Sequence, residues 1–417
     1  MEISRDIHLN RIIKRKHNGM IKVITGVRRC GKSYLLFTLF KRHLLISGVT
    51  EDHIISINLE DRRNKELRDP DALLHYIDGK MIDGEMYYIL LDEIQLVPEF
   101  EDVLNSYLSV GNADVYVTGS NARFLSKDVI TEFRGRGDEI KISPLSFSEF
   151  CSVKQGDRED LLNEYMTFGG MPQVVLMDDA QQKMEYLKGL FAHTYITDIK
   201  QRYNIHKDDD LEELINLIAS AIGSLTNPNK IANTFKSVKH SMLSNDTIKK
   251  YLDILQDSFL VEKATRYDIK GKRYIDSPAK YYFTDAGLRN ARLDFRQTEF
   301  THLMENVIYN ELRLRGFSVD VGEVHYTGTD AQGKRRHNSA EVDFVCNLGY
   351  QRCYIQSAYA LPDAQKMAQE KNSLVRINDS FKKFIIVGAL SSTYQTPEGI
   401  TIINIYDFLM NPASLGL

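Results

Sequence analysis

One stretch constrains this chain more than any other. Lys22 to Leu39 reads K-V-I-T-G-V-R-R-C-G-K-S-Y-L-L-F-T-L. Val23 to Thr25 is apolar and β-branched, as a buried strand should be. Gly26 to Ser33 fits G-x-x-x-x-G-K-[ST] at every fixed position, and Leu35, Leu36, Leu39 and Phe40 then recur at helical spacing. Strand, glycine-bearing loop and helix, in that order, make a phosphate cradle. Gly26 and Gly31 let successive amides turn toward phosphate oxygens, and the new helix offers its positive end. The expected cradle is Gly26, Val27, Arg28, Arg29, Cys30, Gly31, Lys32, Ser33 and Tyr34. Lys32 is placed to reach the β- and γ-phosphates and the Ser33 hydroxyl to complete a Mg²⁺ shell. The competing reading, a chance match on an ordinary turn, is disfavoured because both flanking elements are present. The stretch predicts a nucleoside triphosphate site.

Its second half should come from later strands. Ile54 to Leu59 reads as one, followed by Glu60 and Asp61. Tyr87 to Leu91 reads as another and runs directly into Asp92 and Glu93. Asp92 is then the Mg²⁺ ligand, and Glu93 the base that polarises the attacking water. The plainer alternative is a strand ending in a solvated acidic turn. Asp114 to Thr118 is a fourth strand, ending in Gly119, Ser120 and Asn121. Asn121 or Ser120 there can sense the γ-phosphate, or the pair simply caps the next helix. Arg134 and Arg136 lie on a glycine-rich turn before a strand from Glu139 to Ile142. Such an arginine can reach a neighbouring subunit's γ-phosphate. Spacing alone favours a solvent-facing arginine paired with Asp138 or Glu139. Cys30 lies inside the loop, where modification is expected to block nucleotide unless the thiol is only inert filler.

At 417 residues the chain should form two to four domains. A formal charge of −4 excludes a globally basic nucleic-acid binder, so any such site must be a local patch. Cys30, Cys151, Cys346 and Cys353 lack zinc-type spacing and read as reduced thiols, which places the protein in the cytoplasm. No apolar run approaches membrane-spanning length, and none resembles a signal segment. Residues 1 to 20 read as a basic amphipathic helix on the surface, with flanking of the nucleotide base as the second reading.

Residues 208 to 294 have a different grain. Three helices are expected, from Leu211 to Ile222, Asn229 to Val238, and a third capped by Ser244; a two-stranded segment with its turn at Lys270, Gly271 and Lys272 follows. That order reads as a winged helix. Lys239, His240, Lys249, Lys250, Lys270, Lys272 and Arg273 lie on the third helix, its approach or the wing tip. From Lys230 to Arg273 ten Lys and Arg face five Asp and Glu, a local surplus of five in an acidic chain. DNA contact and a solvated, protein-packing module are the two readings of that surplus.

Several segments together resemble a large family of prokaryotic AAA-type (AAA+ superfamily) ATPases. They are G-V-R-R-C-G-K-S, L-L-D-E, T-G-S-N, G-R-G-D-E-I-K-I-S-P-L-S-F-S-E-F, Y-M-T-F-G-G-M-P-Q-V, Y-Y-F-T-D-A-G-L-R-N, M-E-N-V-I-Y-N-E-L and E-V-D-F-V, which span nearly the whole chain. The resemblance implies an α/β fold. A P-loop NTPase parallel sheet over residues 1–150 would be followed by a helical lid over 151–207. A winged-helix domain over 208–294 and an α/β PD-D/E-x-K nuclease-like domain over 295–417 would complete it. It further implies ATP rather than GTP, with Mg²⁺, and a homo-oligomer, as a ring with a hexamer favoured. Arg136 becomes the first choice of trans-acting arginine and Arg134 the second. DNA, branched forms included, becomes the expected partner, with no membrane.

The last region resembles the nuclease core through a helix glutamate, Glu305, then Glu341 and Asp343 on one strand, then a further strand. Where that core carries E-x-K, this chain reads Gln356-Ser357-Ala358. A neutral amide is a poor hard-metal ligand, and no lysine stands in the motif. Lys371 is the one expected to migrate into place if the site cuts at all. The expectation is a degenerate nuclease site at Glu305, Glu341, Asp343 and Gln356. ATP hydrolysis coupled to DNA binding or remodelling is the leading functional expectation. A nucleotide-gated module acting on protein partners and a metal-dependent nuclease are the alternatives.

Overall fold

The computed structural model describes residues 2–119, 133, 135–203, 205, 208–239, 243–297, 299–329, 335–388 and 392–416. The chain divides into two compact units, Met1–Leu145 with Asp257–Phe259, and Ser146–Gln256 with Leu260–Leu417.

The first unit is built on a five-stranded sheet. Its strands are β1 (Ile21–Thr25), β2 (Ile54–Asn58), β3 (Tyr87–Asp92), β4 (Ala113–Thr118) and β5 (Gly137–Lys141), in the order β2-β3-β4-β1-β5. Every pairing is parallel. A parallel sheet is covered on both faces, so its inner strands are mostly apolar, while the edge strand β5 is polar. β1 and β3 are buried at every position. Ile55, Ile57, Ile89, Leu91, Val115 and Val117 share one core with Leu73, Ile77 and Leu104 from the covering helices. The order sets the ends of β3, β4 and β1 side by side, which is where an open sheet of this kind binds ligands.

The helix Asp6–Ile13 is amphipathic and is anchored by one buried face. His8 and Ile12 are fully buried, and Arg5 just before it is 2% exposed. One face is thus buried while Asp6 and Lys14 stay exposed, and Arg15 pairs with Asp138 at 2.9 Å.

The second unit begins with helices. Ser146 caps Phe147–Cys151 in a capping box, its hydroxyl accepting from Glu149 N while the Glu149 carboxylate accepts from Ser146 N. Helices Arg158–Phe168, Pro172–Val175 and Ala180–Gly189 follow, with the turn at Gly169 carrying φ of 74°. Then come Asp208–Ser220, Pro228–Thr234 and Asn245–Asp257. Thr247 N donates to the Ser244 hydroxyl at the start of the last, as its sequence predicts.

The second sheet has eight strands, β6 (Val261–Asp268), β7 (Arg273–Phe283), β8 (Ser318–Thr329), β9 (Arg335–Leu348), β10 (Gln351–Ala358), β11 (Lys382–Val387), β12 (Tyr394–Gln395) and β13 (Ile400–Asn404). Their order is β12-β13-β11-β10-β9-β8-β6-β7. The expected two-stranded ribbon, β6 and β7, therefore does not stand alone. Arg266 to Asp268 pair in parallel with Val321 to Glu323 of β8, so strands from both sides of residue 294 share one sheet.

Two distant motifs close on each other in this unit. Asp285 accepts from the amides of Gly170 (2.7 Å) and Leu288 (2.9 Å). Asn290 Nδ2 donates to the carbonyls of Met166 and Thr167. A Cβ at Gly287 would lie 2.0 Å from the Phe168 carbonyl oxygen. F-G-G and T-D-A-G-L-R-N are thus two halves of one latch.

Candidate functional site

The loop after β1 is bent by three residues with positive φ, Gly26 (141°), Arg29 (64°) and Gly31 (99°). Such turns converge backbone amides into an anion nest. Gly26 also lets the chain pass β5's end, since a Cβ there would sit 2.1 Å from the Ile142 carbonyl oxygen. Helix begins immediately, over Lys32–Tyr34 and Leu35–Phe40. Lys32 is buried, and its ammonium donates to the carbonyls of Gly26 (3.0 Å) and Val27 (3.2 Å). It thus lies over the concave side of the loop, and Arg28 reaches Glu60 beyond β2 at 3.7 Å.

The acids at the end of β3 meet this loop. Ser33 Oγ donates to Asp92 Oδ1 at 3.0 Å, and Thr118 Oγ1 at the end of β4 donates to the same oxygen. Glu93 N donates to Thr118 Oγ1 at 3.2 Å. Burial raises the Asp92 carboxyl's pKa, against the two hydroxyl bonds that lower it. A buried carboxylate with a hydroxyl 3.0 Å away is a hard-oxygen set suited to Mg²⁺. Glu93 sits at φ of 52°, which turns its side chain away from the strand direction, and Gln95 Nε2 donates to its carboxylate. Thr118 opens the T-G-S-N segment but is not singled out there, and Gln95 carries no motif that marks it in the sequence. Thr118 ends its strand, but a threonine in that place is common.

Cys30 is fully buried and its thiol donates to the Ile142 carbonyl. It packs behind the loop, so its ready modification is not supported; inert filler is the better reading. Arg5 is the residue the sequence hid. Its guanidinium donates to the carbonyls of Cys30 (2.9 Å) and Ser143 (2.6 Å), tying the N-terminal segment to the back of the phosphate loop. His8 Nε2 meets Ser143 Oγ at 3.1 Å, and burial holds its pKa well below the usual imidazole range.

Arg136 is exposed, and its carbonyl accepts from Ile21 N at the start of β1. The loop lies at the other end of β1, about 13 Å of strand away. Arg136 therefore cannot serve its own subunit's loop. The expected pairings to Asp138 and Glu139 are taken by others, Arg15 (2.9 Å) and the Thr25 hydroxyl (2.7 Å). Ser120, Asn121, Arg134 and His240 lie outside the described residues, as does the side chain of Lys239.

A sequence profile described as "AAA domain" matches residues 18–151, and one described as "Domain of unknown function (DUF8612)" matches residues 159–299. An uncharacterised protein of Haemophilus influenzae is 36% identical over 414 residues, 98% of each chain. This chain belongs to that family of AAA-domain proteins. An uncharacterised protein of Methanocaldococcus jannaschii is 30% identical over 88% of this chain and 80% of its own. The Aeropyrum pernix ORC2 protein, in ADPNP–ADP complexes, matches at 13% identity and a TM-score of 0.36 over 62% of this chain and 84% of that one, too loosely to bear on function. The first unit is an AAA-type, P-loop nucleotide-binding domain. No helix among the described residues is long and apolar enough to cross a membrane.

The AAA protein's second unit holds the other expected residues. Lys249 and Lys250 are exposed on the helix Asn245–Asp257, and Lys270 and Lys272 are exposed at the ribbon tip. Arg273 is partly neutralised by Asp268, 3.4 Å away, and Arg266 by Glu323. The acids of the last region do converge. Glu305 on the helix Phe300–Leu314 joins Glu341 and Asp343 of β9, but around a lysine that the sequence did not suggest. Lys280 of β7 is 3% exposed, with its ammonium 2.8 Å from Glu305, 2.7 Å from Glu341 and 3.5 Å from Asp343. Tyr282 donates to Glu305 at 2.6 Å, and Ser357 N to Asp343 at 2.8 Å. Gln356 Oε1 accepts from Asp343 N at 3.4 Å. Lys371 is not the recruited lysine: it pairs with Glu398 at 2.7 Å. Among the described residues, no three His, Cys, Asp or Glu are arranged to hold a metal ion.

Proposed function

We propose that this AAA protein binds and hydrolyses ATP as a homo-oligomer and couples turnover to DNA. The observation that carries the ATP reading is the meeting of Ser33 and Asp92 beneath the Lys32 loop. ATP fits this loop because Lys32's two bonds go to loop carbonyls, which a phosphate can replace by stronger, charge-assisted ones. Ser33 and Asp92 are the residues that would hold Mg²⁺, which would supply neutralisation of phosphate charge. Glu93 takes the proton of the attacking water, and Gln95 fixes which way its carboxylate points. Arg136, displaced to the far edge of the sheet, completes a neighbour's site and makes turnover depend on assembly.

The DNA part rests on the exposed lysines at 249, 250, 270 and 272 and on the order of three helices and a ribbon, which we read as a winged helix. The acid cluster at 305, 341 and 343 is read as a remnant of a nuclease core that no longer cuts. Calorimetric titration with Mg²⁺ and ATP tests the first part: one site per chain is expected, abolished in Lys32→Ala. Turnover with and without linear and forked DNA tests the second. A flat response to every DNA favours a module that acts on protein partners instead.

A further inference from the structure

The acid cluster of the second unit is organised around an ammonium. Lys280 offers three N–H donors, and three carboxylates stand within 3.5 Å of its nitrogen. The acids come from two elements, Glu305 from a helix and Glu341 and Asp343 from alternate positions of β9, which point to one side. Neutral donors also engage them, Tyr282 on Glu305 and Ser357 N on Asp343. Burial by itself lowers the lysine's pKa; Glu305, Asp343 and Glu341 outweigh that and raise it, so the ammonium does not discharge. Burial pushes Asp343 up to about 7 in spite of Lys280, in the direction that brings the cluster closer to charge balance.

We propose that Lys280 is the resident cation of this cluster. Its ammonium holds the position a divalent ion takes among converging carboxylates, so the second unit loads no metal and cuts no phosphodiester bond. A second cation entering beside a buried, undischarged ammonium meets repulsion in a low-dielectric setting, and the carboxylates it needs are already satisfied. Gln356, at the place of a further acid, adds no charge to offset it.

The test uses the full chain without nucleotide, with Mn²⁺ as probe, read by electron paramagnetic resonance and thermal melting. Wild type is expected to show no Mn²⁺ site that Asp343→Asn removes. Lys280→Ala is expected to gain one site per chain, with a melting temperature at least about 2 °C higher at millimolar Mn²⁺. Asp343→Asn in that background should abolish the gain. A wild-type Mn²⁺ site sensitive to Asp343→Asn, or no gain in Lys280→Ala, overturns the proposal. If Lys280→Ala does not fold, Lys280→Gln is refolded with and without Mn²⁺. Recovery that needs the ion supports the proposal, and equal recovery or equal failure overturns it.

Discussion

Ser33 Oγ and Asp92 Oδ1 stand 3.0 Å apart although 59 positions separate them in the chain. The pair meets because β3 and β1 both end at the same edge of a parallel sheet, one strand apart. Thr118 ends the strand between them and bonds the same carboxylate. Ser33, Asp92 and Thr118 are thus brought together by strand order.

Glu93→Gln should abolish ATP turnover while leaving ATP affinity within a few-fold of wild type. Asp92→Asn should weaken both the Mg²⁺ dependence and the rate. Steady-state phosphate release beside calorimetry separates the two. Normal turnover in Glu93→Gln would remove that residue as base.

Arg136→Ala should lower turnover by about 10³ with little change in nucleotide affinity. Because Arg136 sits about 13 Å along the strand from its own loop, activity should return on mixing with Glu93→Gln chains. In a one-to-one ring about a quarter of sites regain both intact halves. No recovery on mixing would place the arginine outside the reaction.

Gly287→Ala should destabilise the second unit by roughly 1–3 kcal/mol, since the added methyl meets the Phe168 carbonyl at 2.0 Å and backbone must move. Chemical denaturation followed by circular dichroism reads this. An unchanged midpoint would mean that the latch is looser than its geometry implies.

Asp285 is pushed up to about 6 by burial, against the amides of Gly170 and Leu288 that favour its charge. The folded state therefore keeps a proton that the unfolded chain releases near pH 4, at about the ordinary aspartate value. Its contribution to stability falls as pH rises from about 4 to about 6 and is flat above. Relative to Asp285→Asn, wild type should lose stability across that window. Parallel pH profiles for the two chains would refute the shift.

Lys270→Glu with Lys272→Glu should weaken DNA binding across sequences. The salt dependence should flatten as well, by about one unit of slope for each phosphate no longer reached. Fluorescence anisotropy over a salt series measures both. Unchanged affinity would remove the ribbon tip from any interface.

The loop, the apolar strands and the acids at 92 and 93 were legible because each is local: a motif, a run of one residue type, a strand end. Lys280 was not. It lies 25 positions from Glu305 and 63 from Asp343, in a strand whose sequence gives no sign of which charge it meets. The same holds for Arg5 and its carbonyl partner Cys30, 25 positions away. Ser244 is the opposite case, a helix cap read from the sequence and met by the Thr247 amide at 3.1 Å.

Short-range structure, then, was settled by the sequence alone: where backbone turns, where a helix starts, which loop carries the P-loop motif. What only the tertiary structure decided is which charges are neighbours. A buried ion pair depends on how strands and helices stack, and Coulomb attraction is felt across space regardless of chain order. That is why a lysine absent from the expected motif could still stand at the centre of its acids.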